Sequence, residues 1–326
     1  MNSEIINQFI LLKKQIKYDI DFLGKDKTIN LFRLKAIEKV IKRLQQYDKK
    51  ITSSEQMANI KDIGKNSLAR IDEILKTGKL SEIHIPKDIE KYLTFIEDLQ
   101  EVYGIGRTTA YKMFRDHNIM SIDDLKKKYE NGDIELSPTL IKGLKYIDKV
   151  KENIPRQDIS LLYTKLKKIL LSIDTKMICI ICGSYRREKD TSNDIDIIIT
   201  HTDIITKEDI DKDYLNIFIK KLHDEKILID DLTENGKTKY MGICNLNGIL
   251  RRIDIRFIPY ESFYPAILYF TGSKDLNTKM RQLARMNGWI LNEYGLFDKN
   301  KKMMKVSSEK DIFDYLEMNY LSPDKR

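Results

Sequence analysis

The sequence MICIICGSYRREKDTSNDIDIII, residues 177–199, joins two runs rich in β-branched residues through a polar turn. Such runs favour β-strands, and the turn offers a Gly-Ser pair and Arg187 to a phosphate group. Asp194 and Asp196 are two positions apart, so their side chains leave the same face of the second strand. Two aligned carboxylates on a rigid strand suit the binding of Mg²⁺ against a polyphosphate.

A second strand-like segment, LRRIDIRFI at residues 250–258, places Asp254 between apolar residues. An Asp-x-Asp pair alone also fits a solvated strand end, but a third carboxylate in a strand pattern favours a functional site. Three such carboxylates, the Gly-Ser turn and Arg187 predict a nucleotidyltransferase site with two metal ions and a triphosphate held for in-line attack. The combination resembles the palm of the nucleotidyltransferase superfamily.

The composition predicts two or three domains with apolar cores, since 41% of the 326 residues are hydrophobic and 33% are charged. No apolar stretch approaches the ~18 residues of a membrane span, and no signal-peptide pattern is present, so an intracellular protein without a membrane partner is expected. The net charge of +8 predicts an anionic partner, nucleic acid first. Residues 1–50 carry 12 Lys and Arg against 6 Asp and Glu, although a solvated helix face is the alternative interpretation.

The three cysteines predict no disulfide framework, because they are few and odd in number. Cys179 and Cys182 form a Cys-x-x-Cys pair, but residues i and i+3 of a strand face opposite sides and no second pair exists. The sequence therefore does not favour a zinc or redox site.

The N-terminal region predicts helices followed by a repeated glycine turn. Apolar residues at helical spacing indicate two or three amphipathic helices within residues 3–50. Gly64 and Lys65 then open a helix whose free backbone amides suit a phosphate, and Gly78 is a helix stop. The layout of residues 60–75 recurs 42 residues later.

The second copy has its turn at Gly104, Gly106 and Arg107. Both copies resemble the helix-hairpin-helix motif, which binds a DNA backbone without reading bases. The first copy has Asp62 where the motif usually has its first glycine, which predicts weaker phosphate binding there.

The middle of the chain predicts further helices and one small sheet. Residues 86–151 have a helical pattern, and a charged helix is expected over residues 208–226. A hairpin signal at Asn235-Gly236 and a turn at Asn247-Gly248 lead into the Asp254 strand. These strands predict an antiparallel or mixed sheet.

The C-terminal region makes the resemblance specific through three segments: LYFTGSKDLNTKMR at residues 268–281, LNEYGL at residues 291–296 and SEKDIFDYL at residues 308–316. This pattern resembles family X DNA polymerases over nearly the whole chain, most weakly in the first 50 residues, with no sign of a BRCT domain. The resemblance implies an α+β fold, with a helical N-terminal domain carrying helix-hairpin-helix motifs and a polymerase domain built on a palm sheet. The implied divisions are a DNA-end-binding domain at 1–84, a helix-hairpin-helix subdomain at 85–152, a catalytic palm at 153–258 and a nucleotide-selection subdomain at 259–326.

The resemblance also assigns roles to individual residues. Asp194 and Asp196 would bind both metal ions, and Asp254 would bind the catalytic ion beside the primer 3′-hydroxyl. The implied nucleotide-binding residues are Gly183, Ser184, Arg187, Ser192, Asn193, Tyr269, Phe270, Gly272 and Asn277. The implied DNA-binding residues are Gly64, Lys65, Gly104, Gly106, Arg107, Arg256, Arg281 and Tyr294.

The sequence departs from the family near the nucleotide and in the N-terminal domain. Asn193 replaces a glycine before Asp-x-Asp, Asn153 stands in place of an arginine near the γ-phosphate, and Lys274 replaces an acidic residue beside the base. These departures bear on nucleotide affinity and fidelity.

The N-terminal departures bear on a second activity, the removal of a 5′-deoxyribose phosphate through a lysine imine. Arg70 occupies the position of that lysine, and an arginine does not form the imine. Asn66 and Glu82 stand where the family has lysines for the 5′-phosphate. The resemblance therefore predicts that this domain binds a downstream 5′ end without processing it, with Lys61, Lys65 and Lys79 as alternative amines.

The predicted function is a template-directed DNA polymerase that fills short gaps in DNA repair, using two Mg²⁺ ions, with Mn²⁺ as the alternative. Its expected partners are gapped or primer-template DNA and a dNTP, and a monomer is expected. One alternative is a template-independent terminal transferase, although the short turn around Gly236 leaves no room for the long loop of such members. The other is a non-catalytic gap-binding or nick-binding protein, which the intact aspartate set disfavours.

Overall fold

The computed structural model describes residues 2–21, 26–84, 95–150, 153–234 and 236–326. The chain divides into two compact units, Met1–Leu140 and Ile141–Arg326. In the described parts, no helix combines the length and the apolar character that a bilayer crossing requires.

The N-terminal unit is helical, as predicted. Its first three helices are α1 (Ser3–Asp21), α2 (Lys27–Gln46) and α3 (Lys65–Thr77). Their apolar faces meet in one core that includes Phe9, Leu12, Leu44 and Ile71. The apolar spacing that predicted amphipathic helices therefore corresponds to buried side chains.

The two predicted hairpins have the same backbone conformation. Gly64 and Gly106 are the N-caps of α3 and of α4 (Arg107–His117), and neither cap makes a side-chain hydrogen bond. Two positions before each cap the backbone is left-handed, with φ 74° at Asp62 and φ 90° at Gly104. Asp62 therefore adopts the turn that glycine usually supplies, which Asn and Asp tolerate better than most residues.

The rest of this unit is helical where it is described. Residues 95–99 form a helical segment, followed by α5 (Ile122–Glu130) and α6 (Pro138–Tyr146), which runs into the second unit. The predicted helical pattern is confirmed for these segments, whereas Pro86 lies outside the described residues. As predicted, α3 ends at Gly78, whose φ of 76° is left-handed.

The second unit contains a five-stranded mixed sheet with the order β2-β4-β7-β6-β5. Its strands are β2 (Met177–Ile181), β4 (Ile195–His201), β5 (Leu228–Asp231), β6 (Lys239–Leu246) and β7 (Ile249–Phe257). Only the central pair, β4 and β7, is parallel. A short antiparallel pair joins β1 (Ile154–Pro155) to β3 (Thr191–Ser192), which directly precedes β4 in the sequence.

Helices cover both faces of this sheet. On one face, Ile197 and Ile199 pack with α7 (Arg156–Leu171) and α9 (Tyr214–Asp224). On the other, Ile198 packs with apolar residues of α10 (Phe263–Thr271). Because both faces are buried here, β4 has three consecutive apolar residues, Ile197–Ile199, rather than a strict alternation.

Two sequence predictions differ from the structure in detail. The charged helix begins at Tyr214 and not at residue 208, because the side chain of Asp213 accepts a hydrogen bond from the Asn216 amide at 3.2 Å and caps α9. Strands β5 and β6 do pair as predicted, although Asn235 of their connecting turn lies outside the described residues. The predicted turn before β7 is confirmed at Asn247 and Gly248, both with positive φ.

Beyond the sheet, α10 leads through Gly272 into α11 (Lys274–Met286), then into a small hairpin and a last helix. The hairpin pairs β8 (Ile290–Asn292) with β9 (Gly295–Phe297), and the helix is α12 (Glu309–Tyr315). Buried residues of α11, β9 and α12 form a separate apolar core. A helical N-terminal unit and a second unit built on a mixed, mostly antiparallel sheet confirm the predicted α+β class.

Candidate active site

The carboxylates of Asp196 and Asp254 lie side by side on the two central strands. In the parallel pairing of β4 with β7, the Cα partner of Asp196 is Asp254. Asp194 precedes β4 by one residue and lies two positions before Asp196, at the same end of the sheet. The fold therefore brings Asp254 next to the Asp194 and Asp196 pair, although Asp254 is distant from that pair in the sequence.

The carboxylates of Asp196 and Asp254 are largely shielded from solvent and lie next to other negative charges. Burial and the negative charges of Asp194 and Asp254 raise the pKa of Asp196 to about 7. Burial likewise raises the pKa of Asp254 to about 6, although the positive charge of Arg252 opposes the shift. Asp254 Oδ1 is buried and has no hydrogen-bond partner. A positive ion among these oxygens would relieve both the repulsion and the missing contact.

Arg252 supplies a cation from within the chain. Its guanidinium forms an ion pair with the Asp194 carboxylate from a position two residues before Asp254 on β7. With Asp194 turned to Arg252, the described residues contain no ready-made cluster of three or more acidic, histidine or cysteine side chains around one point. The role of Arg252 was not predicted from the sequence. Its position two residues before Asp254, on the same face of the predicted strand, could have indicated it.

A cavity of about 670 Å³ opens beside Asp194 and Asp196, whereas Asp254 is not among its lining residues. Of the residues predicted to contact nucleotide or metal, those lining it are Gly183, Ser184, Arg187, Ser192, Asn193, Asp194, Asp196, Tyr269, Phe270, Gly272 and Asn277. Arg281, predicted to contact DNA, also lines it, as do Thr191, Thr271, Lys274 and Thr278. The structure thus gathers the turn after β2, the start of β4 and the loop after α10 into one site.

Tyr269 and Phe270 form one wall of the cavity. Their rings are half-buried and meet edge to face, with centroids 5.0 Å apart. The Arg281 guanidinium lies 4.7 Å from the centre of the Tyr269 ring, and Asn277 Nδ2 donates a 2.7 Å hydrogen bond to the Tyr269 carbonyl. Both rings therefore line the cavity, Phe270 also packs against a neighbouring apolar core, and α11 fixes the position of Tyr269.

The turn after β2 is one turn of helix, α8 (Gly183–Arg186), and forms the opposite wall. Ser184 Oγ donates to Ser192 Oγ at 2.7 Å, and Arg187 donates to the Thr271 carbonyl at 2.5 Å. Gly183 has φ 57°, and a Cβ atom there would lie 2.7 Å from Asp196 Oδ2. Any larger residue at this position would therefore collide with the carboxylate.

An ion-pair network behind this turn was not predicted from the sequence. Arg186 donates to both carboxylate oxygens of Glu309, at 2.9 and 2.6 Å, and to the Thr271 hydroxyl at 2.7 Å. Arg326 also donates to Glu309, at 2.6 Å, and its side chain is fully buried. The two positive charges hold the pKa of Glu309 below its usual range despite the burial. The network connects the turn after β2, which we call the phosphate turn, to Thr271 and to α12.

Several predicted residues lie elsewhere. The Arg256 guanidinium is on β7, 5.5 Å from the centre of the Phe270 ring. Tyr294 is exposed and lies 5.7 Å from the Lys207 ammonium group. Neither lines the cavity. The predicted hairpin residues Gly64, Lys65, Gly104, Gly106 and Arg107 belong to the N-terminal unit.

The N-terminal unit has a cavity of its own, of about 420 Å³. Gly64, Lys65, Asn66 and Arg70 of the first hairpin line it together with Arg33 of α2. Asp62 is also in the wall, and its carboxylate accepts a 2.8 Å hydrogen bond from Arg43. The predicted turn at Gly64 therefore opens onto a concave surface that carries three cationic side chains and one carboxylate.

Comparison with protein families matches both units of the chain. Residues 153–260 match the DNA polymerase beta palm, residues 266–326 the DNA polymerase beta thumb, and residues 4–80 a helix-hairpin-helix domain. DNA polymerase lambda of Arabidopsis thaliana is 31% identical over 333 aligned positions, which cover 92% of this chain. The chain belongs to family X of the DNA polymerases.

Two further relatives place it within family X. DNA polymerase lambda of Rattus norvegicus is 30% identical across 90% of the chain, and DNA nucleotidylexotransferase of Xenopus laevis is 25% identical across 85%. The chain spans 60%, 52% and 60% of the lengths of the Arabidopsis, Rattus and Xenopus proteins. Similarity to the polymerases is thus stronger than similarity to the nucleotidylexotransferase.

Proposed function

We propose that this protein is a template-directed DNA polymerase that transfers a nucleotide from a dNTP to a primer 3′-hydroxyl during the filling of short gaps. One observation carries the proposal: a single cavity joins the carboxylates at the end of β4, the arginine of the phosphate turn and an aromatic wall. Acid, cation and aromatic faces are the three surfaces that a metal-bound nucleoside triphosphate requires. The greater similarity to DNA polymerase lambda than to the nucleotidylexotransferase supports a templated reaction.

Family X polymerases generally depend on divalent metal ions, and this site fits them. Asp194, Asp196 and Asp254 offer carboxylate oxygens, the donors that Mg²⁺ prefers. We propose that the three residues hold two Mg²⁺ ions, with Mn²⁺ as a substitute. Bound there, the ions would lower the pKa of the attacking hydroxyl and neutralise charge on the α-phosphate.

The side chains around the carboxylates have separable tasks in this proposal. Arg187, held by the Thr271 carbonyl, presents a guanidinium to the β- and γ-phosphates, and Ser184 contributes its hydroxyl. Tyr269 and Phe270 pack on the sugar. Asn277 and Arg281, which brace the Tyr269 backbone and ring, contact the base edges of the incoming and template nucleotides.

Primer extension on gapped, nicked and single-stranded DNA, with and without Mg²⁺, tests this function. The proposal expects extension on gapped DNA only when both Mg²⁺ and a template base are present. Untemplated addition to single strands at a similar rate would show a terminal transferase instead. DNA binding without any extension would show a non-catalytic gap-binding protein.

The aromatic wall predicts discrimination against ribonucleotides. Because Tyr269 and Phe270 are fixed next to each other, a 2′-hydroxyl has little room, and we expect kcat/KM to favour dNTP over rNTP by on the order of a hundredfold. Tyr269→Ala should reduce that ratio, whereas Tyr269→Phe, which keeps the ring, should preserve it. Similar use of dNTP and rNTP by the natural protein would show the steric interpretation to be wrong.

For the N-terminal unit we propose binding of the downstream 5′ end without imine chemistry. Imine formation needs a neutral amine, which Arg70 in the cavity wall does not provide. Borohydride reduction with an incised abasic site should therefore trap little covalent adduct. Arg70→Lys is the positive control and should increase trapping. Efficient trapping by the natural protein would contradict the prediction, and substituting Lys61, Lys65 and Lys79 in turn would then locate the amine.

A further inference from the structure

The carboxylate of Glu82 binds two arginines at the wall of the N-terminal cavity. Glu82 accepts hydrogen bonds from Arg70 Nε at 2.5 Å and from the Arg70 NH2 group at 3.2 Å. The NH2 group of Arg33 also donates to Glu82, at 3.4 Å. One anion thus connects two guanidinium groups, from α2 and from α3.

The same two arginines are the cations that a ligand of this cavity would meet. Arg33 and Arg70 line it with Lys65, next to the N-terminus of α3, where Gly64 provides no side-chain cap. Positive side chains beside an uncapped helix N-terminus favour an anion. A phosphate and a carboxylate are both negatively charged, and each can present two oxygen atoms to the paired N–H groups of a guanidinium.

We propose that Glu82 is an internal competitor for the 5′-phosphate of a downstream DNA strand, an inference that rests on the 5′-end binding proposed above. To contact both Arg33 and Arg70, the phosphate must displace the Glu82 carboxylate, or it must bind next to that carboxylate and be repelled by it. The favourable binding free energy from the phosphate–arginine contacts is therefore reduced by the loss of the contacts between Glu82 and the arginines. Asp62 acts in the same direction, because it lines the cavity and brings a second negative charge near the phosphate.

The consequence is a weak preference for phosphorylated ends. All three side chains of the Glu82 cluster are between one fifth and two fifths exposed, so the ion pairs are screened by water and can exchange partners. The chain would then hold a 5′-phosphate more loosely than its number of arginines indicates. Glu82 sets that affinity although it makes no favourable contact with the DNA.

The experiment compares the full chain with Glu82→Gln and with a control variant, Glu38→Gln. Glu38 is in the same unit and pairs with Lys13 at 3.6 Å, so its loss changes the net charge equally. The measurement is the Kd for a one-nucleotide-gapped duplex bearing either a 5′-phosphate or a 5′-hydroxyl downstream. The ratio of hydroxyl Kd to phosphate Kd should rise about three- to fivefold in Glu82→Gln and stay unchanged in Glu38→Gln.

Adding Arg70→Ala to Glu82→Gln should return the ratio of hydroxyl Kd to phosphate Kd to its original value. The ratio rises in Glu82→Gln because Arg70 is released to bind the phosphate, and the double variant lacks that arginine. An unchanged ratio in Glu82→Gln would overturn the proposal. A lowered ratio would also overturn it, since Glu82 would then orient the arginines for phosphate. If Glu82→Gln melts below the assay temperature, Glu82→Asp, which retracts the carboxylate, is measured by the same criterion. Primer extension without a downstream strand reports separately on the polymerase function.

Discussion

Replacing Asp254 or Asp196 by alanine is expected to remove primer extension, by on the order of a thousandfold or more, while DNA affinity stays nearly unchanged. The two carboxylates are register partners on adjacent strands, and in the proposed reaction the metal ions that they would hold neutralise charge on the transferred phosphate. Neither belongs to the hairpins that we expect to hold the DNA backbone. Single-turnover extension and a separate binding measurement on gapped DNA distinguish the two effects.

The matched control is Asp203→Asn, which removes an exposed carboxylate in the same unit that pairs only with Lys176 among the ion pairs described. Its extension rate should equal that of the natural protein. Asp254→Ala should not lower the melting temperature in metal-free buffer, because Asp254 Oδ1 has no hydrogen-bond partner and because burial and the charge of Asp194 outweigh the attraction of Arg252, so that the pKa of Asp254 is raised to about 6. Extension by Asp254→Ala within about tenfold of the natural rate would refute the metal-site assignment.

Glu309→Gln is expected to lower the free energy of unfolding by about 3 kcal/mol, because one buried and one partly buried guanidinium group lose the carboxylate between them. Glu309 is 8% exposed and Arg326 is fully buried, so water cannot replace the missing charge, whereas Arg186 keeps some contact with solvent. Chemical denaturation gives this value directly. Asp314→Asn is the control, because its pair with Lys310 is exposed and should contribute about 0.3–0.5 kcal/mol. A loss as small as that of the control would contradict the prediction.

The same network predicts a dependence of stability on pH. Arg186 and Arg326 lower the pKa of Glu309 in the folded state, so the unfolded chain binds the proton more readily. The contribution of Glu309 is therefore fully present above its unfolded pKa, about 4.3, and is lost as the pH falls through the lower folded value. Glu309→Gln should lose less stability than the natural protein when the pH is lowered through that range.

The local features of the fold were predictable because short stretches determine them. The apolar spacing gave the helices of the N-terminal unit, and Gly78, with its positive φ, gave a helix end. The strand alternation around Asp254 and the Gly-Ser turn gave the carboxylates and the phosphate turn. Asp62 was the instructive departure, because the structure reaches the glycine conformation with an aspartate.

Other features depend on contacts that no local pattern contains. The pairing of Arg186 with Glu309 joins residues 123 positions apart, and the pairing of Arg252 with Asp194 joins residues 58 apart. In the sequence, these charged side chains look like ordinary solvated residues. Only the fold shows that they are shielded from water and therefore need a partner of opposite charge. Similarly, the helix expected from residue 208 begins at Tyr214 because one side-chain cap, at Asp213, determines its first turn. Periodicity alone does not show which of several polar residues becomes the cap.

The parallel contact between β4 and β7 has a consequence for how the protein gains its activity as it folds. Strands that pair in parallel need a long connection. Here the connection from β4 to β7 contains β5 and β6, which belong to the same sheet. Closing such a loop costs chain entropy before any contact compensates for it, so non-local parallel pairing forms slowly. The helices of the N-terminal unit rely on neighbours close in sequence and should form earlier. After dilution from denaturant, we therefore expect helical circular dichroism to recover before primer extension does.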